Sequence, residues 1–134
     1  MAIRPVQKAM AKILVIDDVA DTRELLHMYL SNEGYQVITA ATGSEGLYMA
    51  SAEKPDLVIT DIGLPDMDGA HLIQGLRATE GFESVPIIAL TAYGADRIDQ
   101  AIQAGADRAA IKPTDLDALI NDVKGLFGET SRRA

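Results

Sequence analysis

Short apolar runs recur along this chain, and between them lie segments whose apolar residues return every three or four positions. That alternation limits the fold more than any other feature. "KILVID" (12–17) and "LVIT" (57–60) are almost continuously apolar, as strands are when both their faces are covered. "VPIIAL" (85–90) is another such run, with Pro86 tolerable only near its start. "YQVITA" (35–40) is shorter and more polar, which predicts a place nearer a sheet edge. "RAAIK" (108–112) is a short last strand.

The intervening segments read as helices. Asp21 with Glu24 predicts a capping box, followed by Leu25, Leu26, Tyr29 and Leu30 at helical spacing and closed by Gly34. Ser44 is expected to cap a second helix carrying Leu47 and Ala50, which stops before Pro55. Asp68 is expected to cap a third, with Leu72, Ile73 and Leu76 on one face. Residues 96–104 form a weaker pattern through Ile98, Ala101 and Ile102. Thr114 is expected to cap a last helix with Leu116, Leu119, Ile120, Val123 and Phe127 inside. Strands joined through helices of this length need crossover connections, so the sheet is expected to be parallel with helices on both faces. The prediction is one doubly wound α/β domain over residues 11–127, with 1–10 and 128–134 as tails. A chain of 134 residues can bury such a core without staples.

Composition removes several function classes. With no cysteine, neither a disulfide framework nor a thiolate metal site or nucleophile is available. A formal net charge of −8 argues against nucleic acid as a partner. The basic clusters, Arg4 with Lys8 and Arg132 with Arg133, fall in the expected tails. No apolar run approaches the ~20 residues of a membrane helix, and "MAIRPVQKAMA" lacks the apolar stretch of a signal peptide. No membrane partner and a cytoplasmic location are the expectations.

In doubly wound sheets ligands bind at the carboxyl ends of the strands. Those ends carry Asp17 and Asp18 after the first strand, Asp61 after the third, Thr91 after the fourth and Lys112 after the fifth. Three carboxylates brought together repel one another unless a cation intervenes. An all-oxygen site with open positions suits Mg²⁺. The Asp61 carboxylate is then placed to attack phosphorus, with Lys112 and the Thr91 hydroxyl on the phosphoryl oxygens. Pro65 and Gly69 shape the following loop so that a backbone carbonyl, that of Gly63, is expected to complete the metal's coordination.

The stretches "ILVIDD", "VITDIGLPDMDG", "IIALTA" and "IKP" resemble, in that order, those of the receiver domain of two-component response regulators. The resemblance implies a flavodoxin-like sheet of five parallel strands in the order 2-1-3-4-5. It implies phosphorylation of Asp61, direct Mg²⁺ ligation by Asp18 and ligation through water by Asp17. Thr91 and Lys112 would contact the phosphoryl group. The implied partners are a sensor histidine kinase or a histidine phosphotransfer protein, and a separate downstream protein, since no output domain is expected after residue 127. Transfer of the group onward, or service as a phosphate sink, is the alternative. Enzymatic activity would be limited to self-phosphorylation from a donor and self-dephosphorylation. One departure stands out: receivers usually carry Tyr or Phe three positions before the Lys, and here that position is Ala109. Tyr93 is a candidate stand-in aromatic or partner contact, and equally an ordinary loop tyrosine.

Other patterns carry less. "DMDG" (66–69) begins like an EF-hand loop, but its twelfth position is Arg77 where a bidentate Glu is needed. A dehalogenase-like phosphatase needs a second Asp two positions after the nucleophile, where Gly63 stands. A flavodoxin-like cofactor site would meet "DDVADT", whose acids repel a phosphate. His27 and His71 fall within helices, lack ligand-spaced partners and are expected to be ordinary surface or boundary residues.

Overall fold

The computed structural model describes residues 11–92, 94–112 and 115–133, with side chains through Gly128. Strands β1 (Lys12–Ile16), β2 (Gln36–Ala40), β3 (Leu57–Asp61), β4 (Ile87–Thr91) and β5 (Arg108–Ile111) alternate with helices α1 (Ala20–Asn32), α2 (Gly43–Glu53), α3 (Gly69–Ala78), α4 (Ala95–Ala104) and α5 (Leu116–Arg133). The strands form one parallel sheet in the order β2-β1-β3-β4-β5.

Every residue of β3 and β4 is buried, because successive side chains enter opposite, equally covered faces. Leu14, Ile16, Val58, Ile87 and Ala89 face a cluster with Ala50 of α2, Leu72, Ile73 and Leu76 of α3, and Ala101 of α4. Ile13, Val15, Leu57, Ile59, Ile88 and Leu90 face the other, with Leu26 and Leu30 of α1 and Leu119, Ile120, Val123 and Leu126 of α5. The polar strand β2 lies at an edge, half-exposed, as its composition predicts.

Several details differ from the sequence expectations. The first helix starts at Ala20, with Val19 at its cap and no side-chain cap, so Asp21 lies in the first turn. The cause is Asp17, whose Oδ1 accepts from Val19 N–H at 2.9 Å and turns the chain early. Thr42, not Ser44, caps α2: its hydroxyl accepts from Glu45 N–H at 3.0 Å, while Glu45 Oε1 accepts from Ala41 N–H at 2.7 Å. Asp68 caps α3 as expected. Thr114 and Tyr93 lie outside the described residues; Asp115 Oδ1 accepts from Ala118 N–H at 3.1 Å at the start of α5. The backbone of α5 stays helical through Arg133, past residue 127. Glu and Arg are good helix formers, and cations suit a helix C-terminus. Leu25, Tyr29 and Ile102 are exposed, because the buried stripes of their helices are narrower than their apolar spacing suggested.

The end of the sheet remote from the strand-end acids is held by Arg77, at the end of α3. Its Nε and Nη2 donate to Gly105 O at 3.0 and 2.7 Å, and its Nη1 to Phe82 O and Val85 O at 2.9 and 2.6 Å. Nη2 also meets Asp107 Oδ2 at 2.9 Å, and the same oxygen accepts from Ile87 N–H at 2.9 Å. One planar fork thus ties α3 to the segments entering β4 and β5. Arg77→Ala is expected to lower unfolding free energy by about 2–4 kcal/mol, since several carbonyls lose their donor together. Arg77→Lys should recover only part, because one ammonium cannot span the carbonyls. Urea denaturation reads both, and a loss below about 1 kcal/mol for Arg77→Ala would contradict the assignment.

Candidate functional site

The register of the sheet carries Asp17, Asp61, Thr91 and Lys112 to one edge. Asp17 N–H donates to Ala40 O at 3.0 Å, extending the β1–β2 ladder one residue beyond the strand. The residue is 1% exposed, with Oδ1 on Val19 N–H and Oδ2 2.8 Å from Lys112 Nζ. Arg23 Nη1 donates to the Asp17 carbonyl at 2.8 Å, pinning the same turn to α1. Asp61 closes β3 opposite Leu90 and is 6% exposed. Its Oδ1 accepts from Gly63 N–H at 3.0 Å, and its Oδ2 lies 3.3 Å from Lys112 Nζ. Asp18 is exposed beside them. One carboxylate oxygen from each of Asp17, Asp18 and Asp61 lies within 4.8 Å of the other two. Thr91 is fully buried at the end of β4, and its carbonyl accepts from Lys112 N–H at 2.6 Å.

Burial pulls the Lys112 ammonium down, but the hydrogen bond and charge of Asp17, joined by the charge of Asp61, outweigh it and hold its pKa above the ordinary lysine value. One ammonium facing three carboxylates leaves the site short of positive charge. Oxygen donors alone, with one carboxylate facing water, form the hard ligand set of Mg²⁺ rather than of a softer metal. The residues present therefore fit a divalent cation.

The loop leaving Asp61 is fixed at both ends. A Cβ on Gly69 would lie 2.3 Å from Ile62 Cβ and 2.8 Å from its Cα, so only glycine lets α3 start against the residue after Asp61. Midway, Asp66 reaches the neighbouring helix: its Oδ1 accepts from Gly43 N–H at 2.9 Å and its Oδ2 from Ser44 N–H at 3.1 Å. Sequence reasoning missed this, since the partners lie 23 and 22 residues away and no local pattern marks them. It also missed the contact of Lys112 with Asp17, 95 residues away, which is shorter than the one with Asp61. Gly63 meets the site through its N–H, on Asp61 Oδ1. His27 and His71 are exposed and outside the cluster.

The profile of the response regulator receiver domain matches residues 13–124. The chain belongs to that family. The receiver is 42% identical over 113 residues to the transcriptional regulatory protein KdpE of Mycobacterium tuberculosis, covering 83% of this chain and 48% of that protein. It thus spans about half the length of that regulator. It is 37% identical over 114 residues to sporulation initiation phosphotransferase F of Bacillus subtilis, covering 84% of this chain and 90% of that one. A CheY-like receiver domain protein from Methanospirillum hungatei superposes with a TM-score of 0.88 at 29% identity, covering 93% of this chain and 99% of the other. The flavodoxin-like fold and the 2-1-3-4-5 order implied by the sequence resemblance are those observed. The acidic pocket of Asp17, Asp18 and Asp61 is that of a family that binds Mg²⁺. No described helix of the receiver is long and apolar enough to cross a membrane.

The bond between Asp66 and α2 has a pH signature. Hydrogen bonds from Gly43 N–H and then Ser44 N–H hold the Asp66 carboxyl below its ordinary value of 3.8. A carboxyl lowered by folding contributes stability that is present above its unfolded pKa and lost as pH falls through the folded one. Denaturation midpoints of the parent and Asp66→Asn should therefore differ at neutral pH and converge as pH falls below about 4. A gap that persists or widens in acid would contradict this.

Proposed function

We propose that Asp61 accepts a phosphoryl group from the phosphohistidine of a sensor histidine kinase or a histidine phosphotransfer protein. The observation that carries this is the division of labour on Asp61. Gly63 N–H holds one oxygen and Lys112 approaches the other, at a buried strand end open toward the exposed Asp18. In the transfer, an Asp61 oxygen forms the new O–P bond as the P–N bond of the phosphohistidine breaks, and the imidazole leaves with the bonding pair and takes a proton from solvent. Lys112 stands where it can meet the charge of the arriving group, and the Thr91 hydroxyl is assigned a phosphoryl oxygen. Asp17, Asp18, Asp61 and the Gly63 carbonyl would hold Mg²⁺, with Asp17 acting through water. When bound, the ion neutralises charge on the carboxylates and the transferring group. Enzymatic activity is confined to acquiring and losing this group.

The phosphorylated chain is proposed to act through a separate downstream protein. A second course, passing the group on or storing it, is favoured by Ala109. This half-buried alanine on β5, packed against the core cluster that includes Ala101 of α4, offers no aromatic ring at the position where receivers usually carry one. The likeness to a sporulation phosphotransferase over 90% of that protein's length supports the same course.

Incubation with acetyl phosphate and Mg²⁺ should add one phosphoryl group by intact mass, absent without Mg²⁺ and absent in Asp61→Asn. Undiminished labelling of Asp61→Asn would reject the assignment. Adding a histidine phosphotransfer protein to the labelled chain should drain the added mass if the group is passed on, and leave it if the chain acts by binding.

A further inference from the structure

Asp66 is exposed and touches no member of the carboxylate cluster, yet it joins the two pieces of backbone that carry it. One piece is the loop that leaves Asp61 and supplies the Gly63 N–H to its Oδ1. The other is α2, which lies against β1. A Cβ on Gly46 would fall 2.5 Å from Ile16 Cδ1, so α2 rests directly on the residue preceding Asp17 and Asp18. A Cβ on Gly43 would meet Met67 Cβ at 3.0 Å, so the loop is packed there as well as hydrogen-bonded. The path from the β1 acids to the β3 acid therefore runs Ile16, Gly46, the first turn of α2, Asp66, Gly63.

We propose that Asp66 is a positioning residue: by fastening the loop after β3 to α2, it sets the spacing between Asp61 and the β1 carboxylates. Divalent-cation affinity then depends on it without any contact to the ion. The proposal rests on the metal-dependent function above. Supporting groups of this kind change metal affinity about 10- to 100-fold when removed.

The test uses the full chain as parent, Asp66→Ala and Asp66→Asn. Both variants remove the charge, but Asn keeps one carbonyl oxygen, enough for one of the two α2 N–H groups. MgCl₂ titration by calorimetry should show Kd weakened about tenfold in Asp66→Ala and partly restored in Asp66→Asn. Without metal, amide hydrogen exchange at Gly43, Ser44 and Gly63 should accelerate in Asp66→Ala. Exchange at Val58, whose N–H donates to Pro86 O inside the sheet, should not. Unchanged Mg²⁺ affinity in Asp66→Ala overturns the proposal, as do an Asp66→Asn chain no better than Asp66→Ala, unaltered exchange at Gly63, and equal acceleration at Val58. Should the parent bind no Mg²⁺, the metal function falls, and exchange at Gly63 alone decides whether Asp66 positions the loop.

Discussion

Mutual repulsion among three carboxylates, met by a single ammonium, is the constraint on which this structure turns. Lys112 Nζ sits 2.8 Å from Asp17 and 3.3 Å from Asp61, so one side chain from an edge strand reaches acids at the ends of two inner strands. The remaining negative charge is unfavourable in the folded chain as it stands, because Asp17 and Asp61 are nearly dry. A protein selected only for stability would place an amide or an apolar residue there. The site makes physical sense as one arranged for a cation that supplies the missing positive charge.

The rest of the fold serves to bring those groups together despite their repulsion. Continuous apolar strands fix the register, so Asp61 stands beside Leu90 and Thr91 beside Ile111, with Lys112 next in line. Close backbone approaches at Gly46 and Gly69 keep α2 and α3 against the strands that bear the acids. At the opposite end of the sheet Arg77 binds the segments entering β4 and β5 together, through carbonyls of both.

Much of this was legible in the residues. The strands announce themselves because burial on both faces demands unbroken apolar runs, and the strand-end acids follow from where those runs stop. Helix starts were less legible. Thr42 with Glu45 carries the same capping pattern as Asp21 with Glu24; only the former is used, because Asp17 turns the chain at Val19 first. Leu25 and Leu26 are equally apolar, and only packing against the sheet decides that Leu26 turns inward. The long-range polar contacts of Asp66 and Arg77 were illegible, since a carboxylate or guanidinium carries no local sign of which backbone it will meet. The family resemblance supplied roles for Asp61, Thr91 and Lys112, but not the shorter bond from Lys112 to Asp17.

Thermal unfolding of the parent chain in Mg²⁺, compared with chelator at matched ionic strength, tests most directly whether the acidic edge is built for a divalent ion. A ligand bound only by the folded state stabilises it by about 2.7 kcal/mol at one hundred times its Kd. The midpoint should rise with Mg²⁺ as a binding curve, by an increment lost in Asp18→Ala. A midpoint that ignores Mg²⁺, or that monovalent salt raises equally, would contradict it.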